Sequence, residues 1–202
     1  RGIYMKYENV FSLLEEITVN NSEKISLGMK SKWGWNEFTY KGLGLLSRRL
    51  ASYLIEDLQI EKGEKLAILS ESKPEYGACV FGSVLAGLTT VPLDNKLTIF
   101  ELHSILSNCE PTVMLVSSTY IDKAKELKNK IPSIKYLILM DASSCENEII
   151  PSLYSIPEKY TAKWRRRPLS ATAFTIYTSG TTGAPKGVEI TFKNMLAQMH
   201  DL

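Results

Sequence analysis

The stretch TIYTSGTTGAPKGVEIT, from Thr175 to Thr191, gathers residue types suited to holding phosphate. It sets three glycines, four hydroxyl side chains and one lysine between two short apolar segments. Gly180 and Gly183 permit backbone angles that bulkier residues resist, and they let a ligand approach the main chain closely. Successive N–H groups of such a loop converge into an anion-binding nest. Thr178, Ser179, Thr181 and Thr182 add hydroxyl donors, and Lys186 adds a positive point charge next to the stiffening Pro185. A polyphosphate matches this set. The common P-loop does not, because it needs G-x-x-x-x-G-K-[ST] leading directly into a helix. Here Gly187 follows the lysine and an apolar strand pattern follows the loop. An ordinary hairpin turn needs only about two to five residues, so this loop is oversized for that role.

The elements that must position the loop are legible upstream. Residues 171–177 and 187–191 read as strands on either side of it, with a helix starting near Thr191. Segments 25–29 and 36–40 flank a turn at Gly34 and predict a hairpin. After Thr39, a cap candidate, Leu43, Leu46, Leu50, Leu54 and Leu58 recur at helical spacing. Residues 65–69 predict a strand. Ser72-Lys-Pro-Glu75 then predicts a helix start, with Ser72 as cap, for a nearly all-apolar helix running to Leu88. A strand over 89–93, a capping box at Thr98 and Glu101, and a helix to about Asn108 follow. Next come a strand over 112–116, a charged helix over 120–130 and a strand over 135–140. Strands without alternation, separated by helices, indicate an α/β fold: a mainly parallel sheet with helices on both faces. Residues 141–170 lose this periodicity and read as an irregular surface connection, and 171–191 as the phosphate-binding strand-loop-strand.

Composition excludes several function classes. The 202 residues carry 24 basic and 22 acidic side chains, so no global field points to nucleic acid or to an anionic membrane. No apolar run is long enough to span a bilayer, and no cleavable leader pattern is visible. Cys79, Cys109 and Cys145 are odd in number and widely spaced, which fits reduced thiols in a cytosolic protein better than a disulfide framework. Cys79 reads as a small core residue. His103 and His200 lie too far apart to indicate a metal pair, so no metal ligand is assigned. The run Trp164-Arg-Arg-Arg-Pro168 reads as a solvated linker.

Tyr177-Thr-Ser-Gly-Thr-Thr-Gly-Ala-Pro-Lys-Gly187 resembles the signature of the adenylate-forming (AMP-binding) superfamily, which includes acyl-CoA synthetases, firefly-type luciferases and peptide-synthetase adenylation domains. The likeness continues upstream in order: Phe38-Thr-Tyr-Lys41, Gly63-Glu-Lys-Leu-Ala-Ile-Leu69, Lys73-Pro-Glu-Tyr76, Ala86-Gly87, Val91-Pro-Leu-Asp94 and Glu110-Pro111. The resemblance implies an acid–thiol ligase that is most like a long-chain fatty-acid–CoA ligase. A carboxylate attacks the α-phosphorus of ATP, pyrophosphate leaves, and a thiol takes the acyl group. Carried over by position, Thr178, Ser179, Thr181, Thr182 and Lys186 would engage phosphate, Lys186 in the catalytic role, with Gly180 and Gly183 shaping the turn. Phe192 stands where many relatives have histidine. ATP, Mg²⁺ and coenzyme A are the implied cofactor and co-substrates, with an acyl carrier protein as alternative acceptor.

The resemblance further implies that the adenine-binding segment, the magnesium carboxylate and a catalytic lysine lie beyond Leu202. The chain is therefore expected to be an N-terminal fragment of an adenylation domain, inactive alone. It is also expected to self-associate through apolar surface around residues 171–177 and 195–199. A cytoplasmic location, with peripheral membrane contact, goes with this reading. An amino-acid-activating enzyme and a non-catalytic nucleotide-binding scaffold remain as other classes.

Overall fold

The computed structural model describes residues 9–32, 34–141, 150–158, 164–178 and 185–200. Helix α1 (Val10–Asn20) precedes the hairpin β1 (Ile25–Ser31) and β2 (Gly34–Thr39). Helix α2 (Tyr40–Ser52) passes into a π-helical turn over Tyr53–Asp57, and β3 (Lys65–Leu69), α3 (Pro74–Leu85) and β4 (Thr89–Leu93) follow. Then come α4 (Ile99–Cys109), β5 (Val113–Val116), α5 (Ile121–Lys130) and β6 (Tyr136–Leu139). The described chain ends with β7 (Thr172–Thr178), β8 (Lys186–Thr191) and α6 (Phe192–His200).

Six strands form one sheet in the order β6-β5-β3-β4-β7-β8, parallel throughout except that β8 runs antiparallel to β7. The apolar runs predict this arrangement because each central strand buries both faces. Leu66 and Ile68 of β3, with Val113 and Leu115 of β5, pack against α1, α2 and α3. Ala67, Leu69, Met114 and Val116 point the other way, against α4 and α5. The two faces follow from chain direction: β3 to β4 steps one way along the sheet, while β4 to β5 and β5 to β6 step the other. Right-handed crossovers in opposite directions place their helices on opposite faces. Helices α2 and α3 approach so closely that a Cβ on Gly82 would lie 2.8 Å from Leu50 Cδ2 and 3.0 Å from Leu50 Cβ.

Most local signals hold. Thr39 caps α2 by accepting from the Gly42 amide at 3.1 Å. Thr98 and Glu101 form the full capping box of α4. Five expectations need correction. Lys73, not Ser72, is the N-cap of α3, with no side-chain cap bond, and Glu75 accepts from the Tyr154 hydroxyl at 2.8 Å instead of turning back to the helix start. That helix also stops at Leu85, before Gly87 at φ +73° and β4.

The connection after β6 is not wholly superficial. Ser152 bridges Leu139 in parallel fashion, and Leu153 and Ile156 are buried in the α1–α3 core. Nor is the arginine run a solvated linker. Trp164 packs on the same core, Arg165 donates to the Ile60 carbonyl, and Arg167 donates to Thr89 Oγ1 at 2.9 Å and to the Thr172 carbonyl at 3.0 Å. Each guanidinium finds a backbone or aromatic partner that charge patterning alone does not reveal. Finally, Met195 and Leu196 are not open surface: with Phe192 they pack against Ala173, Val10 and Val84.

Candidate functional site

The β7–β8 hairpin presents the candidate loop. Parallel pairing with β4 directs β7 toward the carboxyl edge of the sheet, the edge where open α/β sheets build their sites. Its last two rungs are Tyr177 opposite Gly187 and Thr178 opposite Lys186. Directly opposed residues of a ladder share a face. Thr178 and Lys186 therefore stand together at the mouth of the loop, both exposed. Ser179, Gly180, Thr181, Thr182 and Gly183 lie outside the described residues.

The hairpin is fixed at several points. A Cβ on Gly187 would meet Thr175 Cγ2 at 2.7 Å and Tyr177 Cζ at 3.2 Å, so the Tyr177 ring lies across the glycine. The Tyr177 hydroxyl donates to Asn108 Oδ1 at 2.6 Å, on the last turn of α4. Burial, and then the neighbouring Cys109 thiol, push this phenol up to about 12. At the other end Thr172 donates to Glu189 across the strands at 3.1 Å. Thr191 and Asn194 exchange cap bonds at the start of α6. Phe192 is buried, with the Arg167 guanidinium 5.9 Å from its ring centre. Its role here is packing.

Sequence reasoning missed a second polar centre. At the carboxyl ends of β3, β5 and β6, Lys73 Nζ lies 2.7 Å from Asp141 Oδ2 and 3.3 Å from Glu71 Oε1. Glu71 also accepts from Ser117 at 2.6 Å and Thr119 at 2.9 Å, while Asp141 accepts from the Ser118 amide at 2.8 Å. Burial by itself would raise the Glu71 carboxyl, but the bonds from Ser117 and Thr119 and the Lys73 charge hold it below its ordinary value. Burial likewise opposes the charge on Lys73, and the two carboxylates outweigh it and raise the ammonium above its ordinary value. Neighbouring β3 and β5 send their chains to opposite faces, so this is a topological switch point of the sheet. The protein fills that point with its own ions. Beside them a cleft of about 550 Å³ opens between Leu27, Ser72, Tyr76, Leu93 and Asp94. No sequence signal links Glu71 and Lys73 to Asp141, because only the parallel register brings the strand ends together.

The remaining candidates behave as bystanders. Cys79 is fully buried, and burial followed by Glu75 and Asp141 pushes its thiol up strongly; burial pushes Cys109 to about 11. Neither thiol is poised as a nucleophile. Among the described residues no three His, Cys, Asp or Glu side chains converge on a metal position.

Comparison with known proteins agrees with the geometry. The family model described as AMP-binding enzyme matches residues 15–202. The crotonobetaine/carnitine–CoA ligase of Escherichia coli K12 is 29% identical over 164 residues, which cover 79% of this chain and 32% of the ligase. A hybrid PKS-NRPS synthetase of an Acremonium species is 28% identical over 181 residues, 90% of this chain and 4% of that protein. The adenylation domain of a carboxylate reductase from Mycobacterium chelonae superposes with a TM-score of 0.81 at 18% identity, covering 96% of this chain and 36% of that one. The chain thus spans about a third of the CoA ligase's length. A hairpin carrying the glycine- and hydroxyl-rich loop, a parallel sheet wound in this order and a family match over nearly the whole chain lead to one conclusion: this chain belongs to the AMP-binding enzyme family.

Proposed function

We propose that the loop between Thr178 and Lys186 holds the β and γ phosphates of ATP while a carboxylic acid is activated. The observation that carries this reading is the last rung of the hairpin. It sets a hydroxyl and an ammonium side by side, exposed, at the two ends of the Ser179-Gly-Thr-Thr-Gly segment. In the reaction a carboxylate oxygen bonds to the α-phosphorus, and the bond from that phosphorus to the bridging oxygen breaks. Charge moves onto the departing pyrophosphate. Lys186 and the loop hydroxyls would stabilise that charge where it develops, the usual route in phosphoryl chemistry. In the second step a thiol sulfur bonds to the acyl carbon, AMP leaves with the electron pair, and the thiol proton passes to solvent.

The acceptor we assign is coenzyme A, in line with the name of the E. coli relative as a CoA ligase, and the acid a fatty acid, as the sequence resemblance implies. A carrier-protein acceptor is the second reading, favoured by the likeness to the A-PCP didomain of a carboxylic acid reductase from Segniliparus rugosus. Mg²⁺ would enter on the nucleotide's phosphates. No described cluster of carboxylates offers it a seat, so no step is routed through a protein-bound ion. A cytosolic setting with peripheral membrane contact belongs to the same reading. It is supported by the free thiols Cys79 and Cys109 and by the lack, among described residues, of a helix long and apolar enough to cross a membrane.

The test is acid-dependent exchange of labelled pyrophosphate into ATP by a full-length enzyme that carries this chain, across fatty, aromatic and amino acids, followed by thioester formation with coenzyme A or a carrier protein. Exchange with fatty acids and consumption of coenzyme A is the expected result. Exchange with amino acids alone rejects the fatty-acid assignment, and no exchange with any acid rejects adenylation.

A further inference from the structure

We infer that Asn108 and Tyr177 form a brace that sets the stem of the loop, and that both act as positioning residues for phosphate binding. The inference rests on the reading of the loop given above. Tyr177 occupies the rung directly before the loop mouth, and its ring lies over Gly187, the residue after Lys186. One side chain therefore touches both strands of the stem. Its hydroxyl is tied to Asn108 Oδ1 at 2.6 Å, and its ring packs on the α4–α5 side of the sheet. The tie reaches outside the hairpin: Asn108 belongs to α4, whose far end is locked by the capping box at Thr98 and Glu101.

The physical need for such a brace is clear from the strand order. Among the described residues β8 is the last strand in the sheet, and β7 is its one partner. A loop carried on a two-stranded extension inherits the bending of that extension. A hydrogen bond from the stem to a capped helix removes that freedom without adding any atom to the ligand's surroundings. A small residue at 187 is then required because the ring occupies the space that a Cβ would need.

Tyr177→Phe removes one hydroxyl and keeps the ring, and Asn108→Ala removes the acceptor. Asn108→Asp keeps an acceptor in place. In a full-length enzyme that carries this chain the two removals should each raise the KM for ATP about three- to tenfold, in line with the net worth of one hydrogen bond. Turnover should fall as well, because the same loop steadies the departing pyrophosphate. The double variant should be no worse than Tyr177→Phe alone, because Asn108 enters the brace only through that hydroxyl, which also meets the Cys109 thiol. Asn108→Asp should restore the KM, which a general packing defect would not allow. Without nucleotide, hydrogen exchange over residues 178–187 should speed up in Tyr177→Phe while exchange over α4 stays at the parent rate. Unchanged exchange in that segment, or additive effects in the double variant, overturns the brace. Faster exchange with an unchanged KM for ATP overturns its part in phosphate binding. Lys186→Ala serves as the control: if it leaves both the KM for ATP and the rate of carboxylate activation unchanged, the reading of the loop itself falls.

Discussion

At the scale of single residues, two lysines carry different work. Lys186 is exposed and stands at the loop mouth. Lys186→Ala should slow carboxylate activation about ten- to a hundredfold, the loss expected for one charge-assisted contact to phosphate. Folding stability should stay within about 0.5 kcal/mol of the parent, since the residue is a surface one. Steady-state exchange rates alongside urea melts check both parts, and a fully active variant removes Lys186 from the site. Lys73 is structural. Glu71 is held below its ordinary 4.5, so its contribution is present above that value and is lost as pH falls through the lower folded one. Lys73 is raised above its ordinary 10.5, so its share is full below 10.5 and is lost as pH rises through the higher folded value. The network therefore stabilises across the neutral range. Lys73→Met should cost about 2 kcal/mol at pH 7, because Asp141, with a side chain only 5% exposed, loses its counter-charge. The penalty should shrink as pH falls through the lowered Glu71 value, which urea melts at several pH values would read out. A penalty that stays constant with pH would show that the loss is packing, not charge.

At the scale of elements, α2 and α3 meet in a close joint within the core. Gly82 faces Leu50, which is fully buried, with no room for a methyl group. Gly82→Val should therefore force the helices apart and cost about 1–3 kcal/mol or more, as overpacked cores do. The α4–α5 side of the sheet should be untouched, so hydrogen exchange should rise chiefly in α2 and α3. A variant as stable as the parent would mean that Leu50 finds another rotamer at no cost. The π-helical turn at Tyr53–Asp57 and the arginine strap at 164–167 belong to this scale too. Both were invisible as elements in the sequence, because the first continues a regular leucine spacing and the second has the composition of a linker. Their form is set by what they meet: the core for Trp164, and carbonyl groups of Ile60 and Thr172 for Arg165 and Arg167.

At the scale of the whole molecule, the hairpin leaves an apolar strip. Ile176 is 39% exposed and its cross-strand partner Val188 is 53% exposed, on the last two strands of the sheet order. Exposed apolar edges recruit partners. The chain 1–202 should associate with itself as concentration rises, by light scattering, and Val188→Lys should return it to monomer. A parent chain that stays monomeric at high concentration defeats this expectation. With about a third of a CoA ligase's length, the same chain should also form no acyl-adenylate by itself. Detection of that product would show that the loop and sheet suffice.

The fold class, most element positions and the family were already present in the sequence. Two-faced apolar strands require cover on both sides, so 65–69, 89–93 and 112–116 could be read as a parallel sheet without any coordinates. The loop was legible because its chemistry lies in one contiguous segment, and local spacing suffices to recognise it. What only the tertiary structure decided are pairings between distant residues. The strand order brought Glu71, Lys73 and Asp141 to one point, the hairpin's register put Thr178 opposite Lys186, and the packing of β7 against α4 joined Tyr177 to Asn108. None of these has a local signature, because a hydrogen bond or ion pair across the sheet depends on which strand ends become neighbours, and that is fixed only when both faces of the sheet are buried at once.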